Sequence, residues 1–221
     1  TTITPYTTGR YMIIDSSTRR NLELLETMRE KQKRGSLLWV LDKTKTAMGA
    51  RLLRKMIEQP LIVKDEIINR QKAVGELIKN YIDREEIREY LNPIYDLERL
   101  LGKVSYKTAN PRDLIAFRNS LRMLPHIKTL LQEFDEELLT QINEQIDALT
   151  DVCGLIEDAI IEEPPITIRE GGLIRPGANE EADRLRDIMT GGKDTILAIE
   201  AAEREKTNIR TLKVSYNRVF G

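Results

Sequence analysis

The chain has 221 residues, of which 32% are charged and only 5% aromatic. This balance favours long helices with solvent-facing sides and argues against a β-sandwich. The formal net charge is −1, so the chain lacks the basic excess of a stand-alone duplex-binding domain, and we do not expect it to bind DNA strongly by itself.

The N-terminal part predicts a linker followed by short elements. Residues 1–14 alternate loosely between polar and apolar side chains, which indicates a linker that runs into a short strand. Residues 15–18 offer side-chain oxygens that can cap a helix. A polar, basic loop is expected over 29–35, and the apolar run 37–41 predicts a short, well-buried helix.

The next part of the chain predicts a series of helices. Thr46 can cap a helix that Pro60 ends. Asp65 can cap the following helix. A short helix is expected over about 84–91, and another begins near Asp96.

The strongest helix start is Asn110-Pro111, with Asn at the cap and Pro at the first helical position. Asp113 then stands in the first turn, where a negative charge is favourable. We expect Pro125 to kink this helix. Apolar residues from 139 to 160 keep spacings of three and four, which predicts a helical stretch that can divide at Thr150-Asp151.

The C-terminal part begins after Pro164-Pro165, which ends the helices. Residues 166–174 are predicted to form a small extended ribbon. Asn179 is expected to cap a long helix over about 180–206, roughly 40 Å in length. Its heptad seam of apolar residues fades at Glu203, so this helix is expected to leave its packing partner and run into water.

The last segment has the alternation of a strand. Leu212, Val214 and Tyr216 alternate with polar residues, which predicts a strand over 211–219. A lone strand is not stable, so we expect its hairpin partner beyond the end of the chain. The predicted fold is therefore mainly α: a multi-helix core with a long lever-like helix, plus short strand segments at the N-terminus, around 166–174 and over 211–219.

The sequence offers no catalytic or metal-binding constellation. His126 is the only histidine, so we assign it a surface or packing role. Gly191-Gly192-Lys193 resembles part of a phosphate-binding loop, but Asp187 replaces the first glycine and Asp194 replaces the Ser or Thr. A bend or a close helix contact is the interpretation we favour there. We predict no catalytic residues, no metal site, and no ATPase or nuclease activity for this chain.

The single cysteine, Cys153, excludes an internal disulfide and lies in an apolar helical stripe, where we expect a small buried side chain. No apolar run approaches the roughly 20 residues that a membrane span needs. No signal-peptide pattern opens the chain. We expect an intracellular protein without membrane partners.

Basic and polar residues cluster at the end of the long helix and in the strand after it. One interpretation is a solvated tip. The other is contact with a nucleic-acid backbone, because Lys, Arg, Asn and Tyr commonly donate to phosphates. The position of the strand at the end of a protruding helix favours this second interpretation. The candidate residues are Lys206, Asn208, Arg210, Lys213, Tyr216, Asn217 and Arg218.

Several segments, in order, resemble the middle of the MutS family of DNA mismatch-repair proteins. The first and the last are the most specific, and the motif Thr18-Arg19-Arg20-Asn21-Leu22 resembles the mismatch-repair branch more than the recombination-suppressor branch. The segments are Tyr11 to Leu24, Leu41 to Leu53, Tyr95 to Leu100, Asn110 to Leu114 with Ser120 to Pro125, Glu170 to Ile174, and Glu203 to Ile209 leading to Leu212 to Gly221.

The resemblance implies a division of labour. Residues 1–14 would end a connector, 15–205 would form the helical core and lever, and 206–221 would begin a truncated clamp. The intact protein would be a homodimeric, DNA-dependent ATPase that binds mismatched double-stranded DNA. ATP and Mg²⁺ would bind in an ATPase domain outside this chain, which itself would hold no cofactor. The resemblance also implies that the intact protein binds a MutL-type partner. It would lie in the bacterial cytoplasm, associated with the nucleoid.

The chain departs from the family pattern at a few positions. Met56-Ile57 stands where the family usually has Trp-Leu, a swap that roughly conserves volume. Asn208 and Ser215 stand where the family usually has Gly, which could alter the turn at the base of the clamp. Two other functions stay open: a helical scaffold or adaptor without a DNA role, and a regulatory all-α domain of another enzyme. A phosphate loop a few hundred residues downstream in the parent reading frame would separate the three.

Overall fold

The structure is a computed structural model that describes residues 9–214, apart from the side chains of Thr190, Lys193 and Thr195. The chain is built from α-helices joined by short connections. These are α1 (Ser16–Asn21), α2 (Leu37–Leu41), α3 (Ala47–Glu58), α4 (Lys64–Lys79), α5 (Tyr81–Leu91), α6 (Leu97–Ser105), α7 (Pro111–Leu121), α8 (Leu124–Leu131), α9 (Glu137–Gln145), α10 (Thr150–Ala159) and α11 (Glu180–Thr207).

The chain forms two compact units that divide between Glu157 and Asp158, inside α10. The N-terminal unit contains α1 to α9 and most of α10, and the C-terminal unit contains α11. Over the part that the structure describes, β-structure is limited to isolated bridges. The predicted mainly α fold with a long C-terminal helix is therefore confirmed.

Local capping bonds fix where several helices begin. The side chain of Asp15 accepts from the backbone N–H of Thr18 at 2.8 Å, and that of Thr46 accepts from the N–H of Gly49 at 3.0 Å. At α7, Asn110 Oδ1 accepts from the N–H of Asp113 at 2.7 Å, while Asp113 accepts from the N–H of Asn110 at 3.0 Å. This reciprocal pair satisfies two backbone donors that the helix leaves open, as the sequence predicts.

Two predicted helix boundaries differ from the structure. The prediction that Asp65 caps α4 is wrong, since α4 begins at Lys64 and Val63 holds the cap position without a side-chain bond. Asp65 lies in the first turn, where the helix dipole favours its charge. Pro125 does not kink a continuous helix either. Pro125 lies in the first turn of α8, which is separate from α7. Proline is tolerated there because the N–H that it lacks would have no carbonyl partner within the helix.

The N-terminal unit is held together by an apolar core between α4, α5, α8 and α9. Phe134 is its least exposed member with 3% of its surface exposed, and burial of such a side chain contributes roughly 1.5–3 kcal/mol. His126 stacks on Tyr90 with ring centroids 4.8 Å apart, which confirms its packing role. The other buried members of this core are Ala73, Ile94, Ile127, Leu131 and Leu139.

The helix predicted over 37–41 is present as α2, but the prediction that it is well buried is wrong. Only Leu38 is buried, whereas Trp39 keeps 48% of its surface exposed. The side chains of a single helical turn point in different directions, so one contact surface covers only one of them. Cys153 is likewise half-buried rather than buried, and its Sγ lies 3.9 Å from the carbonyl oxygen of Arg118.

The predicted strand segments are reduced to single bridges or replaced. Near the N-terminus, Tyr11 forms one antiparallel bridge with Leu61. The ribbon predicted over 166–174 is wrong: a 3-10 helix, Ile168–Glu170, lies there, and only Ile174 bridges to Ile160.

Local chemistry explains that correction. Thr167 donates from both its backbone N–H and its hydroxyl to Glu170 Oε1, each at 2.9 Å, which closes a turn. Gly171 and Gly172 then take φ values of +69°, so an extended run is interrupted. No strand is present over 211–214, and the remainder of the strand predicted to 219 lies outside the described residues.

No helix in the described range is both long enough and apolar enough to span a bilayer. This finding includes α11, whose 28 residues carry charges along their whole length.

Candidate nucleic-acid interface

The candidate interface is carried by α11, which begins in a well-anchored turn. Asn179 Oδ1 accepts from the N–H of Ala182 at 2.9 Å, as the sequence predicts. Asp183 accepts from the N–H of Gly177 at 2.7 Å and pairs with Arg186, which donates to the carbonyl of Ile174 at 2.9 Å. These bonds hold the start of the helix to the loop before it.

Over its 28 residues, α11 extends about 42 Å at 1.5 Å per residue. The apolar seam residues Leu185, Met189 and Ile199 are all exposed. Within the C-terminal unit, the described residues therefore leave at least half of each of these side chains uncovered.

The glycines inside α11 do not form a phosphate loop. Gly191, Gly192 and Lys193 all have helical backbone, so their amide groups belong to the helix and do not converge on an open cradle. Among the described atoms, none lies within 4 Å of the Cβ that Gly191 or Gly192 would carry. The structure thus gives no close helix contact at these positions.

The helix ends in a left-handed turn at Asn208, with φ 58° and ψ 20°. Glycine adopts this conformation freely, and Asn is the side chain that tolerates it best. Asn208 stands where the family usually has glycine, and from the sequence this replacement could have altered the turn. The structure shows that Asn208 is compatible with it.

Beyond the turn, the chain reverses and runs back beside the last turns of α11. Arg204 Nε donates to the carbonyl of Leu212 at 2.7 Å, and Glu200 Oε2 accepts from the N–H of Val214 at 2.9 Å. Glu200 and Arg204 also pair with each other at 2.5 Å. This Glu200–Arg204 pair fixes the return segment, residues 209–214, at two points.

The sequence analysis missed the Glu200–Arg204 pair. Its only signal was an acidic residue four positions before a basic residue on one helix, which is a common surface arrangement. The pattern does not reveal that both side chains bind backbone groups of a segment that follows the helix.

The structure brings three of the predicted cations to this end of α11. Lys206 pairs with Glu203 at 2.9 Å, so its charge is partly offset. Arg210 and Lys213 are exposed, and no carboxylate of the described residues lies within 4.0 Å of either. Tyr216, Asn217 and Arg218 lie outside the described residues.

This arrangement presents exposed positive charge. Two exposed cations without a described acidic partner can neutralise phosphates, which positions a protein on a duplex without reading its sequence. Within residues 9–214, no group of three or more His, Cys, Asp or Glu side chains is placed to hold a metal ion.

Comparison with known proteins places this chain in a family. The family model described as MutS domain III matches residues 17–216. The chain is 66% identical over its whole length to a DNA mismatch repair protein MutS of Lachnoclostridium phytofermentans, of which it covers 24%. It is 57% identical over 98% of its length to a protein of the same name in Ruminiclostridium cellulolyticum and 50% identical over 98% to one in Acetivibrio thermocellus, covering 25% of each. The chain thus spans about a quarter of the length of the curated relatives it matches.

Proposed function

The chain belongs to the MutS domain III family, and we propose that it acts as the helical core and lever of a DNA mismatch-repair protein. In this role it couples the gripping of mismatched double-stranded DNA by a clamp to an ATPase domain elsewhere in the polypeptide. The observation that carries the proposal is the end of α11, where Arg210 and Lys213 are exposed on a segment that the Glu200–Arg204 pair ties to the helix.

The lever role follows from the stiffness of the connection. An α-helix about 42 Å long can move as a rigid body and carry a hinge motion from one end to the other. The tie between the helix and the return segment makes Lys213 follow the last turns of α11 when the helix moves. A flexible connection at Asn208 would lose that motion.

We assign nucleotide chemistry to the part of the polypeptide outside this chain. ATP and Mg²⁺ would bind there, and the intact protein would hydrolyse ATP in a DNA-dependent manner. The helical backbone of Gly191 and Gly192 does not fit a triphosphate, so no step of that reaction is placed on these residues. Homodimerisation, a MutL-type partner and association with the bacterial nucleoid complete the proposal at the level of the intact protein.

The test is a salt titration of duplex binding by the intact protein and by its Arg210→Ala/Lys213→Ala variant. Each lost phosphate contact is expected to lower the slope of log K against log salt by roughly one unit. Matched and mismatched duplexes should lose affinity to the same extent, because phosphate contacts carry no sequence information.

The matched control is the double variant Lys79→Ala/Arg184→Ala, which removes the same charge from two other exposed positions. It should keep the wild-type slope. An unchanged slope in the Arg210→Ala/Lys213→Ala variant would favour a helical scaffold without direct DNA contact. A selective loss of mismatch preference would show that these residues have a different role.

A further inference from the structure

A second cluster of cations lies in the N-terminal unit, beside α1 and α3. Arg19, Arg20 and Arg54 line a pocket of about 380 Å³, which we call the Arg19–Arg20 pocket. Glu26 is the one carboxylate among its lining residues, so the lining carries an excess of positive charge. The remaining lining residues are Ser16 and Leu25.

The guanidinium of Arg19 is held in place without a carboxylate partner. Its Nε donates to the carbonyl of Ile14 at 3.1 Å, which leaves its two terminal nitrogens for another acceptor. Among the described residues, no carboxylate lies within 4.0 Å of Arg19 or Arg20. Neither guanidinium therefore forms an ion pair with a carboxylate of the described residues.

The two acidic residues nearest in sequence, Asp15 and Glu23, are already engaged, and Glu23 Oε1 accepts from the backbone N–H of Met28 at 2.7 Å. Asp15 accepts from both the backbone N–H and the hydroxyl of Thr18, each at 2.8 Å. These bonds lower the pKa of Asp15 below its ordinary value, the backbone bond most strongly. Asp15 thus serves as the cap of α1 and leaves the two arginines open.

Two other arginines of the same unit, Arg10 and Arg51, have acidic partners. Arg10 pairs with Glu66 at 2.9 Å, and Arg51 donates to both carboxylate oxygens of Asp96 at 2.7 and 2.8 Å. Arg54 at the pocket pairs only loosely with Glu58, at 3.5 Å. Since a guanidinium fork matches a carboxylate closely, the open arginines form a receptor for an oxyanion.

The surroundings favour a protein carboxylate over a free anion or a nucleic acid. Ile13 and Leu22, which flank Arg19 and Arg20 in the sequence, keep 76% and 62% of their surfaces exposed, and Met12 is exposed as well. Arginine, methionine and apolar side chains together are typical of the centre of a protein interface. Most of the polypeptide in the curated relatives lies outside the stretch that this chain covers.

We propose that the Arg19–Arg20 pocket receives an Asp or Glu side chain from a segment of the intact polypeptide outside these 221 residues. The carboxylate binds the open nitrogens of Arg19 and Arg20, and apolar neighbours of that acidic residue pack on Leu22 and Leu25. This docking fixes the N-terminal end of the core to another part of the protein. It is independent of the DNA contact proposed for α11.

The experiment places a photo-cross-linker in the intact protein as Leu22→p-benzoylphenylalanine. Cross-linked peptides are then mapped by mass spectrometry in the presence and absence of duplex DNA. The expected product joins residue 22 to a peptide that lies outside residues 1–221 and contains Asp or Glu. Its yield should fall at least about fivefold in Arg20→Glu, which corresponds to the loss of a charge-assisted contact.

Matched variants make the result specific. Arg34→Glu, which reverses an exposed arginine that does not line the pocket, should keep the wild-type yield. The cross-link yield should fall less in Arg20→Gln than in Arg20→Glu. Replacing the mapped acidic residue by Arg should restore the yield in the Arg20→Glu background. The proposal is overturned by any of three results: no cross-link or one confined to residues 1–221, a cross-link to DNA, or equal losses in Arg20→Glu and Arg34→Glu.

Discussion

The Glu200→Gln variant tests whether the Glu200–Arg204 pair holds the return segment. The substitution keeps the shape of the side chain but removes its charge, so it weakens both the acceptor for the Val214 N–H and the pairing with Arg204. The Glu200 side chain is only 14% exposed and that of Arg204 38%, so solvent screens the pair less than a fully exposed one.

The size of the effect follows from the bonds that are lost. A hydrogen bond to a charged group contributes about 1.5–3 kcal/mol, and the exposure of the Val214 backbone places this one near the lower limit. About 1.4 kcal/mol corresponds to a factor of ten in an equilibrium constant. Local opening of residues 209–214 should therefore become about tenfold more frequent.

Amide hydrogen exchange measures this opening directly. The Val214 and Leu212 amides should exchange about tenfold faster in Glu200→Gln, whereas amides of α4 should keep their rates. Glu203→Gln is the matched control, because it breaks the exposed pair with Lys206, and it should change the same amides by less than about threefold. Equal exchange at Val214 in wild type and Glu200→Gln, or an equal increase in Glu203→Gln, would refute the reasoning.

Three further predictions concern the helices and one acidic residue. Asn208→Gly should leave the thermal stability of the C-terminal unit unchanged or slightly raised, whereas Asn208→Ala should lower it by about 1 kcal/mol, since alanine is strained at φ 58°. Asn110→Ala should destabilise the N-terminal unit by about 1 kcal/mol through loss of the capping box, and Asn110→Ser should restore most of it in denaturant titrations. Hydrogen bonds from Lys33 and then Thr44 lower the pKa of Asp42 to about 2. The ionised form of Asp42 is therefore stabilised by folding above pH 4, and this stability is lost as the pH falls from about 4 to 2. Asp42→Asn should thus be about 1 kcal/mol less stable than wild type at pH 7, and the difference should vanish near pH 2 in a comparison of unfolding free energies.

The helix starts could be predicted because they are set locally. The caps at Asp15, Thr46, Asn110 and Asn179 each bind a backbone N–H only three positions ahead. A short polar side chain followed by a helical pattern contains nearly all the information for that bond. The same argument explains why the all-α class was predictable.

Burial and chain reversal could not be predicted in this way. The exposure of Trp39 depends on which side of α2 packs against the rest of the unit. Because every residue of α2 is apolar, its sequence does not indicate which side that is. The turn at Ile168–Glu170 replaced a predicted ribbon because Thr167 and Glu170 close on each other, a bond that competes with extended backbone. At the candidate interface, the basic residues were visible in the sequence, but the two backbone bonds that position them were not.

The hydrogen bonds at the end of α11 explain how this helix can position basic side chains of the segment that follows it. One tie alone would leave residues 209–214 free to swing about the left-handed turn at Asn208. Two ties, from Arg204 to Leu212 and from Glu200 to Val214, remove that freedom because they hold the segment at successive positions along its length. In the proposed lever role, Arg210 and Lys213 would then move with α11 and not independently of it. The exposure of both side chains suits the proposed phosphate contact, since an acidic partner on the helix would offset their charges.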